Sequence, residues 1–329
     1  MSSTGTDDTT DPEVTVARTG LLIMAHGTPS SIEDIPRFVT ELRRGRPPEP
    51  ELLAELESRY RAIGGASPLR ERTRWHADAI ADVLEAEAPG RFVVDVGYKF
   101  TEPRIEDAVV SLGRNGVHHC VGLVLAPHFS AMSVGDYATR AENAGSANDP
   151  PVTISTIPQW HLAPGFVPLM ADLVRSEVDK LPSEQRGGTT VLFTAHSLPR
   201  RVLEQGDPYA DQLRESADAI AAAADVESYM VAWQSAGRSP EPWLGPDILE
   251  VIPSLAASGT STLIVCPVGF VSEHLEVLYD LDVQAASVAE KAGLRFVRTH
   301  TLDGDERLSR VIAGIVLEAA GNPAGDPVA

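Results

Sequence analysis

The chain has 329 residues, with 47 Asp and Glu against 27 Lys and Arg and a formal charge of −20. That balance argues against nucleic acid as a partner, since phosphate backbones need a basic footprint. No apolar run reaches transmembrane length. The two cysteines, Cys120 and Cys266, sit inside apolar runs, which argues for a reducing, cytoplasmic setting and against a disulfide framework. The only lysines are Lys99, Lys180 and Lys291. Abundant acid with so little lysine is the balance of a protein kept soluble at high salt, although GC-rich coding also replaces lysine with arginine.

In chain order, Met1 to Glu13 is rich in Ser, Thr and Asp and has neither a basic nor an apolar signal-peptide region. Residues 1–18 are expected to form a disordered acidic tail. Strands are predicted over 20–25, 92–97, 121–126 and 152–156, then over 190–195, 228–233, 262–267 and 295–298. Amphipathic helical patterns fall between them, such as 51–63, 73–87 and 209–224. Alternation of this kind implies parallel sheets covered by helices. Two segments repeat weakly: LLIMAHGTP (21–29) echoes VLFTAHSLP (191–199), and VLAPHFS (124–130) echoes VCPVGFVS (265–272). Two α/β halves of four strands each are therefore expected. Pro158 and Pro164 interrupt the pattern near 159–165. The predicted domains are 19–162 and 163–322, with a short tail at 323–329.

Ligands of open parallel sheets bind at the carboxyl ends of strands, and the candidate residues gather there. His196 closes the strand-like TVLFTAH, where an imidazole can serve as a base or a metal ligand. Glu276 follows the strand-end turn Val268–Phe270 on a helix expected to open at Ser272. Asp280 is one turn further on the same face. Two like charges so placed need a solvated face, a cation or a shared proton. His26, in MAHGTP, is the first-half counterpart of His196, and Gly27 beside it permits close approach of a ligand. His274 is expected to pack or to support its neighbours. For each of these the plainer reading is structural: a hydrogen-bonded strand-end histidine, or a solvated acid pair.

Arg43, Arg44 and Arg46, with Arg59 and Arg61 flanking Tyr60, concentrate basic charge in an acidic chain. Arginine grips carboxylates and phosphates bidentately, which favours an anionic ligand. Salt bridges to Glu41, Glu49, Glu51, Glu55 and Glu57 are the competing use. Ile63–Leu69 reads as a turn into a helix with Ser67 as N-cap, and it lacks the Lys and spacing of a Walker loop. Tyr137 can donate one more hydrogen bond.

Together these segments resemble the ferrochelatase family. The resemblance runs from about Gly20 to Ala320 through LLIMAHGTP, RRGRPPEPELL, RYRAIGGASPL, LAPHFSAMSVGDY, FTAHSLPRRV, GDPYADQL, WQSAGRSPEPWLGPDI and VGFVSEHLEVLYDLD. It looks most like the short coproporphyrin-using members of Gram-positive type. The resemblance implies two Rossmann-like domains of the class II chelatase kind, each a four-stranded parallel sheet flanked by helices, and Fe²⁺ insertion into a porphyrin in the cleft between them, in haem biosynthesis. The family's metal-site histidine falls on His196 and its essential glutamate on Glu276, as catalytic and metal-binding residues. Its porphyrin contacts fall on Arg43, Arg59, Tyr60, Ser67 and Tyr137, and the residue facing the porphyrin metal falls on His26. No cofactor beyond the substrate Fe²⁺ is implied, no iron–sulfur cluster is expected, and a monomer is expected.

Two departures stand out. Similar members carry Tyr in place of His26, and the acidic face that often runs Glu, acid, Glu here runs Glu276, Asp280, Gln284. Other readings are a protoporphyrin IX ferrochelatase, a cobalt or nickel chelatase for a corrinoid precursor, and a porphyrin- or haem-binding protein that inserts no metal. Corrinoid chelatases usually lack the WQSAGRSPEPWLGPDI block. A non-enzyme should have lost His196 or Glu276.

Overall fold

The computed structural model describes residues 18–321. Apart from Arg18, the two expected tails lie outside the described residues.

The strands are β1 (Thr19–Ala25), β2 (Phe92–Tyr98), β3 (His119–Val124), β4 (Thr153–Ile157), β5 (Thr189–His196), β6 (Tyr229–Gln234), β7 (Thr262–Cys266) and β8 (Arg295–Arg298). They form two four-stranded sheets, ordered β2-β1-β3-β4 and β6-β5-β7-β8. Every pair is parallel. The two sheets have one topology, so the weak repeat is structural: β1 corresponds to β5, and β3 to β7. Each of those pairs sits side by side in its sheet. Strands covered on both faces read as unbroken apolar runs, and β7 is buried along its whole length.

The direction in which successive strands are added reverses between β1 and β3 in one sheet and between β5 and β7 in the other. Such topological switch points leave a crevice beyond the strand ends. His26 follows β1, His196 closes β5, and the turn leading to Glu276 follows β7.

The last helix ties the halves together. The helix Phe166–Asp179 packs on Tyr209–Ala224, while the last helix, Glu306–Gly321, returns to pack on Leu69–Glu87 of the first half. Arg91 Nη2 donates to the Ala320 carbonyl at 3.1 Å. One apolar cluster runs through both halves, from Leu21, Ile80 and Leu123 to Phe193, Leu213, Ile264 and Ile312.

Candidate active site

His196 and Glu276 are in direct contact: His196 Nδ1 lies 3.1 Å from Glu276 Oε2. A strand end and a helix start bring them together across 80 residues of chain. Gly269 makes this possible. Its amide donates to the Thr194 carbonyl at 3.0 Å. A Cβ at that position would lie 2.5 Å from the Ala195 Cβ, so only glycine lets the β7 turn settle onto the end of β5.

The helix bearing Glu276 differs in detail from its sequence-based expectation. It spans Leu275–Leu278, and His274 caps it, with Nδ1 accepting from the Val277 amide at 3.3 Å. Ser272 does not open it, because the preceding residues are tied elsewhere: the Glu273 amide donates to Asp303 Oδ2 at 2.7 Å. A stretch of π-helix, Asp280–Ala285, follows. Single π turns widen a helix and often occur at functional sites.

The charges of the pair are set by opposing effects. Burial would raise the pKa of Glu276, but the charge and hydrogen bond of His196, with weaker help from His274 and His26, bring it down to about 2. Burial would lower that of His196, but the charge and hydrogen bond of Glu276, with Asp280 beyond, hold it above the ordinary value. The pair is therefore an ion pair at mildly acid pH. Its side chains are 33% and 38% exposed, so it lines an open wall and does not occupy a sealed core.

Asp280 is buried, and this settles the acid pair's need: it takes a hydroxyl and a cation. Ser235 Oγ donates to its Oδ2 at 2.5 Å, and Arg59 Nη1 approaches its Oδ1 at 3.4 Å. Burial, then repulsion from Glu276, outweighs these partners and pushes its carboxyl up to about 6.

The first half supplies the opposite wall. Ile35, Phe38, Val39 and Tyr60 form a cluster against which Leu275, the neighbour of Glu276, packs. His26 projects to solvent from the end of β1, with ring centroids 4.7 Å from Phe100 and 6.0 Å from Phe38. The surrounding protein mass lowers its pKa, against opposition from the Gly27 carbonyl and Glu276, so its imidazole is neutral. Tyr60 is buried, and its phenol is pushed up by burial and by the nearby charge of Glu276. His196, His26 and Tyr60 thus lie within electrostatic reach of Glu276, and Arg59 within reach of its neighbour Asp280.

The other candidates stand apart from the pair. Tyr137 is buried in the first half, 5.2 Å from its ring centroid to Lys99 Nζ. Ser67 is buried as well. It caps from one residue further out than expected: Pro68 is the N-cap, and Ser67 Oγ accepts from the Leu69 amide at 3.4 Å. The arginines divide. Arg59 and Arg61 pair with Glu55 and Glu57, as the competing use had it. Among the described residues Arg43, Arg44 and Arg46 pair with no carboxylate. Glu41 is taken instead by Arg104, at 2.5 Å. Arg43 holds only the Pro47 carbonyl, at 2.9 Å.

Three contacts at the pair were not foreseen. Gln234 Nε2 donates to the main-chain carbonyl of Glu276 at 2.8 Å. Tyr209 Oη donates to the carbonyl of His196 at 3.1 Å. Ser235 reaches Asp280 with a backbone φ of 60°. A polar pair ending an otherwise apolar strand, in WQS, was the one available signal.

Two like parallel sheets, one of which carries a histidine–glutamate pair beyond the ends of its neighbouring strands β5 and β7, have the build of a chelatase fold. Solved structures agree on the fold. SirB of Bacillus subtilis, determined with Fe³⁺, superposes with a TM-score of 0.58 at 15% identity, covering 94% of this chain and 98% of its own. CbiX, the terminal enzyme of sirohaem biosynthesis in denitrifying bacteria, superposes at 0.51 with 13% identity, covering 92% and 99%.

The chain belongs to the ferrochelatase family: the family model described as Ferrochelatase matches residues 18–320. The coproporphyrin III ferrochelatase of Bacillus mycoides (strain KBAB4) is 41% identical over 91% of this chain and 96% of its own. That of Bacillus subtilis (strain 168) is 41% identical over 92% and 98%.

Proposed function

We propose that this protein inserts Fe²⁺ into coproporphyrin III to form coprohaem in haem biosynthesis, with His196 and Glu276 as the catalytic, metal-handling pair. The observation that carries the reading is the 3.1 Å contact between these two side chains, within electrostatic reach of His26, in a chain alike over more than nine-tenths of its length to enzymes of that name.

Metallation exchanges two pyrrole protons and the iron's water ligands for four ring nitrogens. A cleft that grips the puckered porphyrin lowers the barrier. With the His196 Nδ1–H directed at Glu276, Nε2 is the nitrogen left to take a proton or meet the metal. In the free protein Glu276 favours the imidazolium. A dication arriving beside the pair opposes that charge and releases the proton to solvent, and the freed nitrogen then accepts the two pyrrole protons in turn, passing the first outward before it takes the second. Asp280, near neutrality and next in line, can pass protons outward.

Arg43, Arg44 and Arg46 suit the propionates. Four propionates in place of two call for more rim cations, which favours coproporphyrin III over protoporphyrin IX. Arg59, Tyr60, Ser67 and Tyr137 are assigned to fixing the ring, and His26 to the face of the porphyrin metal.

No resident cofactor is assigned, and no iron–sulfur cluster. In support, the two cysteines lie in different sheets, both buried, with thiols pushed up to about 12 by burial. A monomer is assigned because one chain supplies both cleft walls. A cytoplasmic location follows the reduced cysteines. Among the described residues no helix is long and apolar enough to cross a membrane.

Anaerobic Fe²⁺ insertion followed by absorbance, with coproporphyrin III and protoporphyrin IX side by side, tests the reading. Fast metallation of coproporphyrin III, lost in His196→Ala and Glu276→Ala, is expected. Porphyrin binding without insertion would overturn it in favour of a carrier, and preference for protoporphyrin IX would overturn the substrate assignment.

A further inference from the structure

The WQS step at the end of β6 has no part in the chemistry above, yet each of its residues addresses the site. The Trp233 ring stands 5.5 Å from that of Tyr209, whose hydroxyl holds the His196 carbonyl. The Gln234 side chain holds the Glu276 carbonyl. Ser235 holds Asp280.

Gln234 closes a ring of contacts. It is the register partner of His196 in the parallel pairing of β5 and β6, and its carbonyl accepts from the Ser197 amide at 2.8 Å. One fully buried residue is therefore bonded by its backbone to the neighbour of His196 and by its side chain to Glu276. The amide orientation follows from the partner: a carbonyl acceptor requires Nε2 as donor. Gln234 Oε1 is left buried with no partner. An unpaired buried acceptor is unfavourable, so an apolar residue would serve a merely space-filling role better. Ser235 adds a second sign of constraint, since a φ of 60° is strained for a residue other than glycine.

We propose that Gln234 and Tyr209 are positioning residues that fix His196 and Glu276 at working separation through their main-chain carbonyls, so that removing either bond slows metal insertion without loosening porphyrin binding. The proposal rests on the chelatase reading. Loss of the donor lets a carbonyl-tethered side chain drift, and misplacement by about 1 Å can lower a rate by up to roughly 100-fold.

The test compares wild type, Gln234→Met and Tyr209→Phe by anaerobic Fe²⁺ insertion into coproporphyrin III, by coproporphyrin III affinity from fluorescence without iron, and by thermal unfolding. Expected are a fall in kcat of about tenfold for Gln234→Met and about threefold to fivefold for Tyr209→Phe, with porphyrin Kd within twofold of wild type. Unchanged kcat in both variants would overturn the proposal. So would Kd weakening in step with kcat, which marks general loosening of the cleft. Should Gln234→Met fail to fold, Tyr209→Phe, which deletes one oxygen, decides alone. A wild-type protein that inserts no metal would overturn the chelatase reading itself, a result distinct from either.

Discussion

Replacing Glu276 by Gln keeps shape and removes one charge, and it separates what the His196–Glu276 contact does for stability from what it does for chemistry. The carboxyl of Glu276 falls from an ordinary 4.5 to about 2. In a sealed core that displacement would correspond to about 3 kcal/mol. With 38% of the side chain exposed, solvent screening reduces it to on the order of 1 kcal/mol. For a chain of this size that moves the unfolding midpoint by roughly 1–2 °C. The sign depends on pH. The share of Glu276, whose folded pKa is depressed, is present above its ordinary 4.5 and lost as pH falls towards about 2. The share of His196, whose folded pKa is raised, is present below its ordinary 6.5 and lost as pH rises through the folded value. The destabilisation by Glu276→Gln is therefore largest between about pH 4.5 and 6.5 and shrinks on either side. Iron insertion, by contrast, should fall at least about 100-fold, because a proton-transfer and cation-binding group is gone. Thermal unfolding across pH, beside anaerobic insertion at one pH, reads both. A midpoint loss above about 10 °C, or activity within a few fold of wild type, would refute the reasoning and make the contact structural.

Further outcomes are expected. His26→Tyr should speed release of the iron porphyrin, since a neutral phenol is a weaker iron ligand than neutral imidazole; an unchanged off-rate in stopped-flow displacement argues otherwise. Arg43→Ala should raise KM for coproporphyrin III by about fivefold to tenfold with kcat little changed, and should raise that for protoporphyrin IX less. Equal effects on both substrates would remove Arg43 from substrate choice. With a formal charge of −20, the unfolding midpoint should climb from low to molar salt as self-repulsion is screened. Greatest stability at low salt would dismiss salt adaptation.

All eight strands were legible in the sequence to within a residue or two: the inner β1, β3, β5 and β7 because strands buried on both faces read as near-continuous apolar runs, and the less buried edge strands because they are short runs with β-branched or aromatic residues between turn signals. Their pairing order was less so, and only the repeat of an Ala-His step after β1 and β5 pointed to two like sheets. His196 and Glu276 stood out as polar residues at the ends of such runs. Gln234 and Tyr209 did not, for physical reasons: the role of Gln234 depends on β6 lying beside β5, and parallel neighbours leave no local trace of each other, while that of Tyr209 depends on how the chain after β5 folds back to set the start of the helix Tyr209–Ala224 against the strand end. Ser272 misled because a serine ahead of a helix resembles a cap, while Asp303, distant in sequence, holds the loop beside it. Among the arginines, composition indicated a cluster but not its division. Glu55 and Asp280 occupy Arg59, while Arg104 withdraws Glu41 and leaves Arg43 without an acid.

The return of the helix Glu306–Gly321 to the first half bears on how the protein is made. The helix Leu69–Glu87 leaves the ribosome long before its partner Glu306–Gly321, which lies more than 200 residues further along the chain. The first half therefore cannot complete its hydrophobic surface until residues 306–321 have been made, and the halves should not mature one after the other as independent units often do. Until then the face of Leu69–Glu87 that the last helix covers stays open, and transiently exposed apolar surface of that kind is prone to aggregation.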